Sequence, residues 1–463
     1  MWGAKRENDQ KRPVSRFRLS RKGCECSPFD IVSKPRHRSG PRPPTDLFER
    51  FCGLTDMDLP VFDISSDEFQ ADPLPAVRQM HQAGELVNVK VPLFGCLPAL
   101  TRYRAVDDFL RDSKRFARSG KAAGKRSPPG LNWWMPKVFR AFAKNMLATD
   151  GADHRRLRSL VDQAFLKRNV DSMRPGITRI ADTFLDDLER QQGDGPVDLL
   201  DDFCRQFPLA VICELLGLPD EDRPRFTRWF GSLGRFRGWW SFAQMIPGLI
   251  RARAYLLEQF RSCRNSPRPG LITQLVLAEQ QGGRLSEPEL LAMVFLLLVA
   301  GHETTTHLIS NGLLALLDHE DQKRQLTDDW SLAPTAIDEL LRYTSPVQMS
   351  KVRYATEAME ISGQVIHPGQ MMIGLLVAAN FDSDQFSDPF HLDLQRSPNR
   401  HLSFGSGIHV CLGMKLAKLE TAIALERLFT RFPSLYLACD RKEIRWRSRI
   451  GLRSLESLPI RLQ

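Results

Sequence analysis

Along most of the chain apolar residues recur every three to four positions, the spacing that gives a helix one apolar face. The clearest such stretches are Ala152–Phe165, Ile177–Arg190, Pro288–Leu317, Thr335–Arg342 and Cys411–Phe432. Alternating patterns are rare. Leu86-Val87-Asn88-Val89-Lys90-Val91 alternates and is followed by turn residues and then by Leu100 to Val106, which predicts a hairpin. A second small strand group is expected between Met359 and Leu376, punctuated by Gly363, Pro368 and Gly369. No unit of roughly 20–50 residues repeats, which argues against solenoids and propellers. The expected fold class is mainly α with small β-sheets, and length alone allows one to three domains.

Composition narrows this picture. Of 463 residues, 42% are apolar and 26% charged, the balance of a soluble globular protein with a sizeable core. The most apolar run, Leu290 to Gly301, is too short to cross a bilayer and continues into His302 and Glu303, so no membrane span is expected. The first twenty residues are charged and lack the apolar stretch of a secretory leader, which predicts a soluble cytoplasmic protein. Residues 1–50 hold 13 Lys/Arg against 6 Asp/Glu and so carry +7 of the net charge of +10. With six prolines in the same stretch, residues 1–56 read as a disordered basic extension, or as sequence ahead of a true start at Met57. A solvated tail is expected there, and no specific nucleic-acid partner. The nine cysteines include no C-x-x-C pair and no zinc spacing, which argues against a disulfide framework.

One cysteine stands apart. Phe404-Gly405-Ser406-Gly407-Ile408-His409-Val410-Cys411-Leu412-Gly413 frames Cys411 with glycines, and Met414 to Glu426 follows with helical spacing and no breaker. Cys411 is therefore expected at the mouth of a helix, where unpaired N–H groups and the helix dipole favour thiolate over thiol. Gly405, Gly407 and Gly413 would let backbone pass where a side chain would collide with a large flat ligand. A buried thiolate with space cleared around it is what a haem iron needs as axial ligand. A second anomaly lies in the most apolar helix: Ala300-Gly301-His302-Glu303-Thr304-Thr305 places poor helix formers and a carboxylate where core residues are expected. Such local rules broken together mark functional sites.

The pattern F-G-x-G-x-H-x-C-x-G from Phe404 to Gly413 resembles the haem-binding loop of the cytochrome P-450 family, in the style of its soluble bacterial members. Ala300 to Thr304 resembles the family's distal-helix signature A-G-x-[DE]-T. The resemblance spans about residue 57 to the end and implies the cytochrome P-450 fold as a single large catalytic domain over 57–463, haem b as cofactor and Cys411 as axial ligand of its iron. It implies that Phe404, Gly413, Ala300 and Gly301 border the haem, with Gly301 leaving room for dioxygen. It also implies that Thr304 hydrogen-bonds the bound oxygen and that Glu303 helps relay protons, since splitting an O–O bond needs protons delivered into a dry pocket.

Further assignments follow from the resemblance. Glu339 and Arg342, joined by Arg396, match a buried structural ion trio on the proximal side. His154 and Arg158, within Asp153-His154-Arg155-Arg156-Leu157-Arg158, match an H-x-x-x-R helix, and their i, i+4 spacing puts both on one face. With Arg353 and His409 they are the expected haem-propionate ligands, since buried propionates need charge-assisted donors.

The implied activity is that of a haem-thiolate monooxygenase inserting one atom of dioxygen into a hydrophobic small-molecule substrate. The chain has no flavin or dinucleotide fingerprint and no ferredoxin-like cysteine set, so electrons are expected from a ferredoxin or similar donor with its reductase. Arg155, Arg156, Lys415 and Lys418 offer such an acidic partner a basic face. Two alternatives stand: a peroxide-driven peroxygenase of the same fold, and a non-catalytic haem sensor or electron carrier. The Glu303–Thr304 pair argues against both. Leu296, Val299, Val347 and Met349 are expected to line the substrate pocket. The aromatic stretches Leu131–Met135 and Phe236–Phe242 would form its lid, and a terpenoid, steroid or fatty acyl chain would fill it.

Overall fold

The computed structural model describes residues 58–91, 95–118, 145–167, 170–191, 195–230, 239–280 and 285–463, all within one compact unit, Phe48–Gln463. The basic extension 1–56, the stretch Leu131–Met135 and residues 236–238 of the second aromatic stretch lie outside the described residues.

In chain order the principal elements begin with strands β1 (Val61–Asp63), β2 (Leu86–Val91) and β3 (Gly95–Leu100), then helix α1 (Tyr103–Arg111) and β4 (Phe116–Ala117). Helices α2 (Gly151–Lys167) and α3 (Arg174–Gln191), strand β5 (Val197–Asp198), and helices α4 (Gln206–Leu216), α5 (Trp239–Asn265) and α6 (Leu271–Gln280) follow. Next come α7 (Glu287–Asp318) and α8 (Ala333–Thr344), then β6 (Arg353–Ala355), β7 (Met359–Ile361), β8 (Gln364–Ile366) and β9 (Met371–Gly374). Helix α9 (Met414–Arg431) leads into β10 (Tyr436–Leu437), β11 (Trp446–Arg447), β12 (Ser454–Leu455) and β13 (Pro459–Arg461).

The structure is a helical body flanked by small sheets. The largest sheet has the order β1-β2-β3-β9-β6-β4, and β10-β13-β5, β11-β12 and β7-β8 form three smaller ones. Val87, Val89 and Val91 of β2 pack with Leu97 and Ala99 of β3 in one buried cluster. The second hairpin strand is thus Gly95–Leu100, not Leu100–Val106. From Tyr103 the apolar residues switch to helical spacing, and Val106, Phe109 and Leu110 form the buried face of α1.

Helix α7 is the axis of the helical body. Its start is fixed by Ser286, whose backbone N–H donates to Glu289 Oε2 at 2.9 Å, and by Pro288 in the first turn. Its buried residues pack against α4, α8 and α9. By length and apolarity alone α7 would suffice to cross a bilayer, but here it is a core helix, buried on several sides. Helix α7 and its neighbours together supply the largest apolar cluster, including Leu185, Phe203, Phe207, Leu290, Leu313, Leu340 and Leu425.

Candidate active site

The cysteine loop is held from three directions before α9 begins. Leu402 N–H donates to Asn380 Oδ1 at 2.8 Å, and the Ser403 hydroxyl donates to Leu341 O at 2.7 Å. Cys411 N–H closes the loop onto Phe404 O at 2.9 Å, and Arg158 Nη1 donates to Val410 O at 2.7 Å. Gly407 has φ +69°, and a Cβ there would meet Leu110 O at 2.7 Å, so this glycine serves the packing of the loop on α1. Gly405 and Gly413 differ: a Cβ on either would meet no protein atom within 4 Å, and both line the cavity that Cys411 faces.

Cys411 lies three residues ahead of α9, not on it, and Gly407–His409 form a short 3₁₀ turn. The helix end does not make it a thiolate. Burial pushes the thiol up, outweighing the Gly413 backbone N–H and the Arg158 charge that favour ionisation. A coordinated metal ion is what deprotonates such a thiol outright.

The opposite wall of the cavity is α7. Leu296, Leu297, Ala300, Gly301, Thr304, Thr305 and Leu308 line it, joined by Val347 and Met349 after α8. The space measures about 1500 Å³, part of it open to solvent. Val299 does not line it, because it sits on the adjacent helix face and packs against the main core. Three consecutive hydroxyls bond back one turn: Thr304 to Ala300 O at 2.8 Å, Thr305 to Gly301 O at 3.0 Å and Thr306 to His302 O at 2.9 Å. Bonds of this kind loosen a helix locally. A Cβ at Gly301 would meet Ile212 Cδ1 at 3.0 Å, so the glycine is required by the approach of α4 as well as by the cavity it borders.

Glu303 is placed differently from expectation. It does not line the cavity; its Oε1 accepts from Arg449 Nη1 at 2.6 Å, and the same Nη1 lies 3.3 Å from His307 Nε2. Burial opposes the charge on Glu303, but the Arg449 guanidinium beside it holds its carboxyl below the usual range. Burial drives His307 down to about 3 and keeps it neutral.

At one end of the cavity several cationic groups converge. The His154 and His409 rings meet edge to face at 4.4 Å, and His409 Nε2 lies 3.5 Å from Asp150 Oδ1. Burial, helped by His409 and Arg158, lowers His154 to about 4. Arg158 lines the cavity and also pairs with Asp162 at 3.0 Å. Arg353 is fully buried but does not line the cavity, since Nη1 and Nη2 donate to Phe109 O and Leu110 O at 2.9 Å each. Sequence reasoning missed Arg118, whose backbone N–H donates to Asp150 Oδ2 at 2.6 Å. Burial and the neighbouring Arg353 bring the Arg118 guanidinium down to about 10. Nothing in its local sequence marks it. His154 Nδ1, Arg118 Nε and Arg353 Nε are buried polar atoms without a partner among the described residues.

Beneath the loop, Glu339 and Arg342 form two hydrogen bonds of 2.8 Å, and Arg396 Nε approaches Glu339 at 3.1 Å. Asn399 Nδ2 and Asp393 N–H add bonds of 3.0 Å each, also missed from sequence. Of the four cations expected to form a docking face, Arg156 pairs with Glu289 at 2.6 Å and Lys418 pairs with Asp338, whereas Arg155 and Lys415 are exposed.

These residues fit haem b. A cysteine faces a largely apolar cavity, two glycines leave space that the protein itself does not use, Arg158, His154 and His409 line the wall, and His154 Nδ1 is buried there without a partner among the described residues. Comparison with known proteins agrees. The sequence profile of the family Cytochrome P450 matches residues 132–331 and 327–447. The chain is 42% identical to Cytochrome P450 107B1 of Saccharopolyspora erythraea over 78% of its own length and 88% of the relative's. It is 37% identical to the polyketide biosynthesis cytochrome P450 PksS of Bacillus subtilis over 88% of this chain and all of that one. The solved myxobacterial cytochrome P450 CYP267B1 in complex with myristic acid superimposes with a TM-score of 0.80 at 36% identity, covering 86% of this chain and 98% of that one.

Proposed function

This chain belongs to the cytochrome P450 family and is a haem b monooxygenase, and from that premise we propose that it oxidises an apolar small organic molecule in the cytoplasm, with electrons from a ferredoxin-type donor and its reductase. The observation that carries the reading is the cavity itself: Cys411 on one wall, Ala300, Gly301 and Thr304 on the other, and mostly apolar side chains between them. Bound through a cysteine thiolate, haem b supplies the activation of dioxygen from which one oxygen atom passes to substrate. The chain's own residues hold and shield that chemistry. Cys411 would hold the haem iron through its thiolate. His154, Arg158 and His409 line the end that receives the propionates, and the Arg118 and Arg353 guanidiniums act on His409 from outside the cavity wall. Thr304 presents a hydroxyl to the cavity and passes protons inward. Glu303 supplies protons only when its carboxylate leaves Arg449, so that pair governs the relay.

The relatives support an apolar substrate: one is named a vitamin D(3) 25-hydroxylase and another a 6-deoxyerythronolide B hydroxylase. Leu296, Leu297, Val347 and Met349 give this cavity a matching apolar lining. The test is the spectrum of the dithionite-reduced protein with carbon monoxide. A strongly red-shifted Soret band supports thiolate ligation, and its loss in Cys411→His assigns the ligand. A band at the position of histidine-ligated haem in the unmodified protein overturns the reading.

A further inference from the structure

One side chain in the cavity does not fit an all-apolar substrate. Lys351 lines the cavity beside Met349 and Ser350, on the segment leading into β6. Its side chain is exposed along the cavity wall, and its ammonium makes no hydrogen bond or ion pair among the described residues. Burial and the nearby Arg118 both work against its charge, and Glu303, the one acid acting on it, is already bound to Arg449.

No described residue supplies the missing anion. The one carboxylate side chain lining the cavity is Glu420, which burial keeps protonated well above the ordinary carboxylate range. Segment 119–144, outside the described residues, contains no Asp or Glu in its sequence, so it brings no carboxylate either. A cation set in an apolar cavity without a counter-ion is costly unless a ligand provides one. An ammonium on a flexible stem is a point-charge partner for a carboxylate.

We propose that Lys351 binds the carboxylate of an amphipathic acid whose apolar remainder lies along Leu296, Leu297, Val347 and Met349. The substrate class is then a hydrophobic carboxylic acid, not a neutral hydrocarbon; this refines the monooxygenase reading above and rests on it. The acid's charge replaces the hydration that Lys351 loses, and the tail fixes which carbon faces the reacting centre. A haem propionate is the other source of a carboxylate within this cavity.

The test titrates holoenzyme with dodecanoic acid and, separately, with dodecan-1-ol, following the haem spin-state shift in the parent, Lys351→Met and Lys351→Arg proteins. The acid should bind the parent about tenfold more tightly than the alcohol. Lys351→Met should abolish that preference while leaving alcohol binding unchanged, and Lys351→Arg should keep it. Equal binding of acid and alcohol to the parent, or an acid preference that survives Lys351→Met, overturns the proposal. Faster haem transfer to apomyoglobin in Lys351→Met, with the acid preference intact, also overturns it and assigns Lys351 to a propionate. The carbon monoxide spectrum of the same samples separates the two readings. A red-shifted band with no acid preference rejects the role of Lys351 alone, whereas a histidine-type band rejects the monooxygenase reading beneath it.

Discussion

Replacing Arg449 by Met isolates what the Glu303 pair contributes. The side chains are 10% and 26% accessible and meet at 2.6 Å, so removing the guanidinium leaves a mostly buried carboxylate with only neutral His307 beside it. Breaking a buried pair from one side costs about 3–5 kcal/mol, and the partial exposure of Glu303 places this case near about 3. Glu303→Gln should cost less, because an amide still accepts from Arg449. The double variant should be less destabilised than the sum of the singles, with a coupling energy of about 2 kcal/mol. The pH dependence gives a second reading. In the parent the Glu303 carboxyl titrates below its unfolded value of about 4.3, so its stabilisation is present above that pH and is lost as pH falls through the folded value. In Arg449→Met burial alone acts and raises the carboxyl, so a penalty is present at neutral pH and is relieved on acidification. The stability difference between parent and variant should therefore shrink from pH 7.5 to pH 5. Urea unfolding of the four holoproteins at both pH values measures it. A coupling energy near zero, or a difference that does not change with pH, would refute the buried-pair account.

Other consequences are equally open to measurement. Glu339→Gln strips the charge from the acceptor of Arg342 and Arg396, both buried, and should lower stability by about 3–5 kcal/mol; in a thermal melt, a loss below about 1 kcal/mol would contradict it. Thr304→Ala should reduce dioxygen-dependent product formation on the order of 10²-fold with unchanged substrate affinity, and peroxide-driven turnover should survive. A non-catalytic haem carrier would be indifferent to that change. Gly301→Ala should destabilise the parent, because the new methyl meets Ile212 Cδ1 at 3.0 Å and Cγ1 at 3.2 Å; it should stabilise an Ile212→Ala background, where both atoms are gone and alanine's helix propensity of about 1 kcal/mol over glycine remains. Below pH 6.5, His307→Phe should remove part of the acid lability. The parent's neutral, buried His307 loses about 1.4 kcal/mol per pH unit between that point and about pH 3, since the unfolded chain binds the proton first.

Much of the site was legible because it breaks local rules over short distances. A cysteine among glycines and a Gly, Glu and Thr inside an apolar helix announce themselves within ten residues. Glu339 and Arg342 are one turn apart on α8, so their pairing needs no knowledge of the fold. Helical phase was harder to read. Leu296 and Val299 lie three positions apart, yet one faces the cavity and the other the core, because the packing of α4, α8 and α9 decides which face of α7 is turned inward. Other partners distant in sequence left no trace, although the resemblance supplied Arg396 as the partner of Glu339. Arg449 reaches back 146 positions to Glu303, and Arg353 is drawn away from the cavity by the carbonyls of α1 more than 240 positions earlier. Lys351 resembles any surface lysine until its surroundings are known.

The segment after α9 also has a meaning in time. Arg449 reaches Glu303, and Asn311 Nδ2 donates to Arg453 O at 2.9 Å. Arg453 Nη2 donates to Ala71 O at 3.0 Å, and Leu199 N–H donates to Leu458 O at 3.0 Å. During synthesis every one of those earlier partners waits for residues made long after it. At the usual 5–20 residues per second, about 2–8 s separate the appearance of Cys411 from that of Arg449. Throughout that interval the nascent chain carries its principal ligand and its longest helix, but the acid on that helix has no counter-ion and β5 has no neighbouring β13. Contacts of such long sequence separation make folding slow and leave apolar helix faces uncovered meanwhile. The cell must therefore guard this chain at its most complete-looking stage, just before the clasp that closes it is made.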